Sequence, residues 1–111
     1  MFNGIIDSVL LGCNVIDSCR NFRKGRSESI VRLALNHLLE KEEFSRDNFF
    51  ICSKAGYVFE ELPSGVTSQD VVNDHCVHPL FIRSELEKSL RNMGLSTLDI
   101  YYLNNFAECQ M

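Results

Sequence analysis

The chain has 111 residues, of which 45% are hydrophobic and 23% are charged, and this composition indicates one modest globular domain rather than a disordered segment. The formal net charge of −4 argues against a nucleic-acid binder or an anionic-membrane binder, because both need a basic surface. No run of about 18 apolar residues occurs, so the sequence predicts no membrane-spanning helix.

The cysteines indicate a reducing compartment. There are five of them, an odd number, and no Cys-x-x-Cys spacing occurs. A disulfide framework or a structural zinc site is therefore not expected. The pattern is typical of a cytoplasmic protein with reduced thiols, several of them buried as small hydrophobic side chains. These residues are Cys13, Cys19, Cys52, Cys76 and Cys109.

The first predicted helix covers residues 2–11, and Gly12 provides its C-terminal stop. Its apolar residues share one helical face. They are Ile5, Ile6, Val9 and Leu10. The apolar run 13–16, which contains two β-branched residues, then predicts a buried strand that ends at Asp17.

The second predicted helix begins at Ser27, whose hydroxyl is a suitable N-cap. Its apolar residues again follow helical spacing. They are Ile30, Val31, Ala34, Leu35, Leu38 and Leu39. A polar turn at 45–48 precedes a second apolar strand at 49–52, which ends at Ser53 and Lys54.

Residues 55–78 form a long irregular connection with one short helix at 68–73. A connection of this length is typical of a functional loop or of a cover over the end of a sheet. The third long helix begins near Pro79 and ends at Gly94. Its predicted buried stripe consists of Ile82, Leu86, Leu90 and Met93. The third strand covers 98–103.

Helices therefore alternate with buried strands, which predicts an α/β fold with a parallel sheet, either a barrel or a doubly wound sheet. Each strand is followed by a polar residue at its carboxyl end: Asp17, Lys54 and Asn104. Active sites of parallel α/β folds form at this edge. Asp17 and Lys54 could pair there and hold the lysine in place, or they could form an ordinary surface salt bridge of little energetic value.

Four segments resemble the aldo-keto reductase family, in order and at sensible spacing. Residues 14–22 (NVIDSCRNF) with 25–28 (GRSE) resemble the family pattern N-x-I-D-T-A-x-x-Y…G-x-S-E. Residues 53–57 (SKAGY) are similar to its lysine strand. Residues 86–95 (LEKSLRNMGL) resemble its L-x-x-S-L-x-x-L-G helix, and 98–105 (LDIYYLNN) its L-D-x-Y-Y-L-H-N strand.

The resemblance implies a partial (β/α)8 TIM barrel running from helix 1 through strand 4 of the family's fold. Residues 1–111 would form a single partial domain, with 55–78 as its long loop. A complete barrel of this type takes about 250 residues. The resemblance places the loops that hold the dinucleotide phosphates late in the barrel, so we expect the chain to be a fragment that lacks a cofactor-phosphate site.

The resemblance also implies NADPH-dependent carbonyl reduction, in which a tyrosine gives a proton to the carbonyl oxygen. A lysine paired with an aspartate lowers the pKa of that tyrosine, since a free phenol titrates near pH 10, and a histidine orients the substrate. By position the aspartate is Asp17 and the lysine is Lys54, both retained. Phe22 stands at the tyrosine position and Asn104 at the histidine position, so the proton donor is lost.

Other residues offer alternative chemistry. Tyr57, in the loop after Lys54, is a conceivable substitute donor, whereas Tyr101 and Tyr102 are expected to pack in the barrel wall. His75 and His78 have a spacing that can chelate a metal, but a zinc site wants three or four ligands. We therefore expect no metal site.

Two functions remain open at this point. The first is an aldo-keto reductase oxidoreductase with impaired catalysis, acting on a small carbonyl substrate if it is active. The alternative is a non-catalytic remnant, a pseudoenzyme or an interaction module. In either case we expect the isolated chain to be inactive and not to bind NADPH. The apolar edge strands at 13–16 and 98–103 predict that the isolated chain is marginally stable, self-associates or needs a partner, because an open sheet exposes unpaired strands.

Overall fold

The computed structural model describes residues 2–20 and 22–104, except for the side chains of residues 22 and 23. The described elements alternate helix and strand as predicted. In chain order they are α1 (Phe2–Leu10), β1 (Val15–Asp17), α2 (Arg26–Lys41), β2 (Phe50–Ala55), α3 (Pro79–Met93) and β3 (Ile100–Leu103). Short 3-10 turns lie at Phe22–Gly25, Arg46–Asn48 and Ser68–Asp70.

The three strands form one parallel sheet in the order β1-β2-β3. Ile16 lies opposite Ile51, and Lys54 lies opposite Tyr102. The predicted α/β class with parallel strands is thus confirmed. Because parallel strands run in the same direction, the carboxyl ends of all three lie at one edge of the sheet.

The main core lies between one face of the sheet and the helices. It brings together apolar side chains from every helix and from two strands, and burial of each one larger than alanine contributes roughly 1.5–3 kcal/mol. Its members are Ile6, Val9, Ile16, Val31, Ala34, Leu35, Leu38, Phe49, Ile51 and Met93. The opposite face of the sheet is open within the described residues. Val15, Phe50 and Tyr102 on that face are 61%, 42% and 48% exposed.

The start of α2 differs from the prediction. The helix begins at Arg26, and its N-cap is Gly25 with φ 86°, without a side-chain cap. A left-handed backbone favours glycine, which lets the chain turn sharply into the helix. Ser27 is instead buried in the first turn, so the predicted serine cap is wrong.

The buried row of α3 also differs from the prediction. The helix buries Phe81, Glu85, Ser89 and Met93, which recur every four residues, whereas the rest of the predicted stripe, Ile82, Leu86 and Leu90, is only partly buried. Only Met93 of that stripe belongs to the buried row. The reason is that Glu85 and Ser89 contact buried polar partners, so the inner row is not apolar.

Smaller differences concern element ends. Strand β2 extends to Ala55, so Ser53 and Lys54 lie inside it, and β3 begins at Ile100 rather than at residue 98. The helix expected at 68–73 is only the 3-10 turn at 68–70. The long loop is nevertheless folded, because its Val66 and Cys76 form a small core with Phe81 of α3.

Burial of the thiols agrees with the sequence. Cys19, Cys52 and Cys76 are buried, while Cys13 is exposed. Among residues 2–20 and 22–104, no helix has the length and apolar character needed to cross a membrane.

Candidate active site

The polar residues predicted at the strand ends meet at one edge of the sheet. Asp17 closes β1, Lys54 is the penultimate residue of β2, and Asn104 directly follows β3. The main chain links these ends beyond the strands, since the Arg20 N–H donates to the Lys54 carbonyl at 2.9 Å and the Asn104 N–H donates to the Ala55 carbonyl at 2.6 Å. The parallel register thus brings three distant segments together.

Acceptors on β1 and on the residue that follows it hold the Lys54 ammonium in place. Its Nζ donates to Asp17 Oδ1 at 3.0 Å and to the Ser18 carbonyl at 2.8 Å. The side chain of Lys54 is 18% exposed and that of Asp17 is 57% exposed. A pair this open to water contributes only about 0–1 kcal/mol to stability. Its effect is therefore to position a cation at the sheet edge rather than to stabilise the fold.

Asn104 lies close to the backbone at the carboxyl end of β2. Gly56 has φ 147°, and a Cβ atom added there would lie 2.7 Å from the Asn104 carbonyl oxygen. The strand ends approach so closely only because position 56 has no side chain. The Asn104 carboxamide donates from Nδ2 to Cys19 Sγ at 3.5 Å. Asn104 thus joins the end of β3 to the segment that follows β1.

Phe22 begins the 3-10 turn Phe22–Gly25, which connects this edge to α2. Its side chain lies outside the described part of the chain, so the position of its ring stays a prediction. The chemical consequence depends only on the residue type. A phenyl ring carries no exchangeable proton and cannot act as a general acid.

The tyrosines that could replace a lost donor have other contacts. The Tyr57 ring packs on His75 with 3.9 Å between ring centroids. The Tyr101 hydroxyl lies 3.3 Å from Ser89 Oγ, and burial raises the pKa of Tyr101, which makes its phenol a weaker acid. Tyr102 lies on the open face of the sheet. Tyr101 packs between sheet and helix, as expected for a strand tyrosine.

The two loop histidines have structural contacts. His75 is buried, and its Nδ1 lies 2.6 Å from the Asn73 carbonyl oxygen. His78 caps α3 by accepting the Leu80 N–H at Nδ1, at 3.1 Å. In the part of the chain that the structure describes, no three His, Cys, Asp or Glu side chains are grouped to hold a metal ion.

Arg20 is the largest feature of the site that the sequence did not predict. Its guanidinium is buried and contacts Glu60 of the long loop at 2.8 Å and Glu85 of α3 at 3.3 Å. It also lies 5.0 Å from the centre of the Phe59 ring. Arg20 thereby connects the long loop and α3, through their two glutamates, to the segment beside Lys54. The signal in the sequence was an arginine three residues after the strand-end aspartate.

Glu28 lies beneath this cluster and is fully buried. Among the described residues, neither of its carboxylate oxygens has a hydrogen bond of ordinary length. Burial raises the pKa of Glu28, and the opposing effects of Ser89 and Arg20 are smaller. The segment GRSE includes Glu28 as a motif position, but its place in the first turn of a helix does not predict that the carboxyl is buried.

We predict that Glu28→Gln makes the fold more stable in alkaline solution. The pKa of Glu28 in the folded protein is raised above the ordinary value of 4.5. The protonated carboxyl therefore adds to the free energy of unfolding below pH 4.5, and this contribution is lost as the pH rises through the folded-state pKa. Urea unfolding at about pH 8 should show that the free energy of unfolding of Glu28→Gln exceeds that of the parent by about 1 kcal/mol, and this difference should disappear near pH 4.5. The exposed control Glu87→Gln should change stability by less than about 0.5 kcal/mol. A loss of stability at pH 8 would contradict the prediction.

The fold and the site together define a class: a parallel α/β segment with a lysine–aspartate pair at the carboxyl ends of its strands. The model of the aldo/keto reductase family matches residues 7–108. The chain therefore belongs to the aldo/keto reductase family, as its motifs indicated.

Solved structures with a similar fold support the partial barrel. The aldose reductase of Schistosoma japonicum matches with a TM-score of 0.70 and 21% identity, over 93% of this chain and 28% of that one. An aldo-keto reductase from Bacillus halodurans, in its holo form, matches with a TM-score of 0.65 and 24% identity, over 96% and 33%. The chain thus spans about a third or less of these proteins. A comparison with the curated proteins found no match.

Proposed function

We propose that this chain carries the carbonyl-binding end of an NADPH-dependent reductase site whose proton donor has been lost. The observation that carries the proposal is the Lys54 ammonium, held by Asp17 Oδ1 at 3.0 Å and by the Ser18 carbonyl at 2.8 Å. Asn104 reaches the same edge from the next strand. In this proposal Asp17 and Lys54 have the roles that the family resemblance gives them, while Phe22 and Asn104 are the substituted positions.

The described residues fit the reacting end of such a site. An ammonium and a carboxamide are both hydrogen-bond donors, as a carbonyl oxygen requires. NADPH, when bound, supplies the hydride. The family resemblance assigns the dinucleotide phosphates to later barrel segments, so this chain's own residues would orient the carbonyl, and we expect no saturable NADPH binding by the isolated chain. We also infer that residues 1–111 form one partial domain and that the protein is cytoplasmic.

Impaired catalysis follows from residue chemistry. General acid catalysis contributes about 10²–10⁴-fold to such a step. Lys54 can favour the anionic form of a neighbouring acid, but the side chain at position 22 has no proton to release. The amide of Asn104 can orient an oxygen atom but cannot deliver a proton at neutral pH. A substrate bound here would be positioned without being turned over efficiently.

Restoring the donor in a completed barrel tests this proposal. Residues 7–104 would replace the matching segment of the Schistosoma japonicum aldose reductase, and saturable NADPH fluorescence would show that the chimaera has closed. We expect Phe22→Tyr to raise aldehyde turnover by about 10²-fold. The same change with Lys54→Met should give no gain. A chimaera that binds NADPH but does not respond to Phe22→Tyr would contradict the proposal.

The open strands favour a second candidate, a non-catalytic interaction module. β1 and β3 each have one unpaired edge within the described residues, and Val15 and Leu103 there are exposed. Unpaired apolar edges promote strand-to-strand association. We propose self-association through these edges.

A charge on the β1 edge tests this association. Val15→Lys should lower the weight-average mass measured by analytical ultracentrifugation, because charged edge residues disfavour strand pairing. Leu33, which is 58% exposed on α2, provides a matched control, and Leu33→Lys should leave the mass unchanged. A parent chain that is monomeric at all concentrations would remove this candidate.

A further inference from the structure

Cys19 and Asn104 contact each other at the strand ends, and both depart from the pattern that their segments resemble. That pattern has alanine where this chain has Cys19 and histidine where it has Asn104. The Asn104 Nδ2 donates to Cys19 Sγ at 3.5 Å, although the two residues are 85 positions apart. Two departures in direct contact indicate one coordinated change of the site rather than two independent losses.

The thiol of Cys19 has a second contact that fixes its role. Its Sγ donates to the Lys54 carbonyl oxygen at 3.6 Å. With its proton engaged there, the sulfur serves as the acceptor that a carboxamide N–H requires. Cys19 is fully buried, so water does not compete for these contacts. The thiol thus bridges the backbone of β2 and the side chain that follows β3.

The backbone of Asn104 is held separately. Its N–H donates to the Ala55 carbonyl at 2.6 Å, and Gly56 lies against its carbonyl. Only the side-chain torsions of Asn104 remain to be set. Among the described residues, Cys19 is the side chain that hydrogen-bonds the carboxamide.

We propose that Cys19 is a positioning residue: its thiol orients the Asn104 carboxamide as a neutral hydrogen-bond donor to an oxygen atom of the ligand bound beside Lys54. The inference rests on the proposed function, because it presupposes a carbonyl ligand at that edge. A carboxamide does not titrate, so the donor stays constant through the pH range in which a histidine changes its charge.

Nuclear magnetic resonance of the ¹⁵N-labelled chain tests the contact without cofactor or substrate. The Asn104 carboxamide is assigned as the signal pair missing from Asn104→Asp. Cys19→Ala should move these signals towards free asparagine and speed their solvent exchange by about twofold to fivefold, as loss of one weak hydrogen bond requires. Cys19→Ser, which keeps a donor and an acceptor, should restore the slow exchange.

Cys52→Ala is the matched control, because Cys52 is also buried at the sheet but lies on β2. It should leave the Asn104 signals in place. Unchanged signals in folded Cys19→Ala, or equal changes in Cys52→Ala, would overturn the proposal. If Cys19→Ala does not fold, Cys19→Ser decides alone. Solvent exchange of its Asn104 carboxamide protons at the rate of free asparagine would overturn the proposal, and exchange as slow as in the parent would support it. Failure of the chimaera to respond to Phe22→Tyr is a separate result, since that experiment does not measure this contact.

Discussion

Arg20→Met is expected to lower the free energy of unfolding by about 3–5 kcal/mol, the cost of removing one partner from a buried ion pair. The substitution leaves Glu85 buried, with Lys88 at 3.5 Å as its remaining cation among the described residues, and it frees Glu60 from the guanidinium. A domain of this size has a total stability of roughly 5–15 kcal/mol, so a large part would be lost.

The pH dependence of the Arg20 variant gives an independent check. Burial raises the pKa of Glu85, so this carboxyl protonates more readily than an ordinary glutamate. A neutral Glu85 needs no cation, and the defect of Arg20→Met should therefore shrink in acid. Urea unfolding at about pH 7 and about pH 5 measures both effects. Arg32→Met, at an exposed arginine of α2, should cost less than about 0.5 kcal/mol. An equally small cost for Arg20→Met would show that the cluster does not stabilise the fold.

Gly56→Ala is expected to have the second large effect. The backbone at φ 147° is strained for any residue with a Cβ atom, which costs roughly 1–3 kcal/mol. The new methyl group would also lie 2.7 Å from the carbonyl oxygen of Asn104, a backbone atom that cannot rotate away. Overpacking of this kind adds roughly 1–3 kcal/mol. The thermal midpoint should fall markedly, and Asn104 should be displaced from Cys19.

Gly4→Ala provides the matched control for Gly56→Ala. Gly4 lies within α1, and a Cβ atom there would meet nothing within 4 Å. Alanine is the better helix former by about 1 kcal/mol, so this variant should be more stable than the parent. We therefore expect Gly56→Ala to lower the free energy of unfolding and Gly4→Ala to raise it. A neutral Gly56→Ala would mean that β2 and β3 do not approach as closely as described.

The order of elements could be predicted because it depends on local patterns. Apolar periodicity together with Gly12, Pro79 and Gly94 was enough to locate the three helices. The pairing of Asp17 with Lys54 was also predictable, since the ends of parallel strands meet at one edge.

What could not be predicted depends on contacts between distant segments. The inner row of α3 contains Glu85, which looks like a surface residue until Arg20 is placed against it. The contact of Cys19 with Asn104 was hidden for the same reason, because a cysteine shortly after a strand has the character of a small apolar residue. Ser27 has the residue type of an N-cap, which is a local signal, whereas the left-handed backbone at Gly25 determines where α2 starts.

The central claim is that the strand-end site keeps its cation while its proton donor is lost. The most direct measurement is NADPH oxidation with a small aldehyde by the NADPH-binding chimaera with Phe22 unchanged, run beside its Lys54→Met variant. We predict that the two proteins oxidise NADPH equally slowly. Sustained turnover by the chimaera with Phe22 unchanged, abolished by Lys54→Met, would contradict the account.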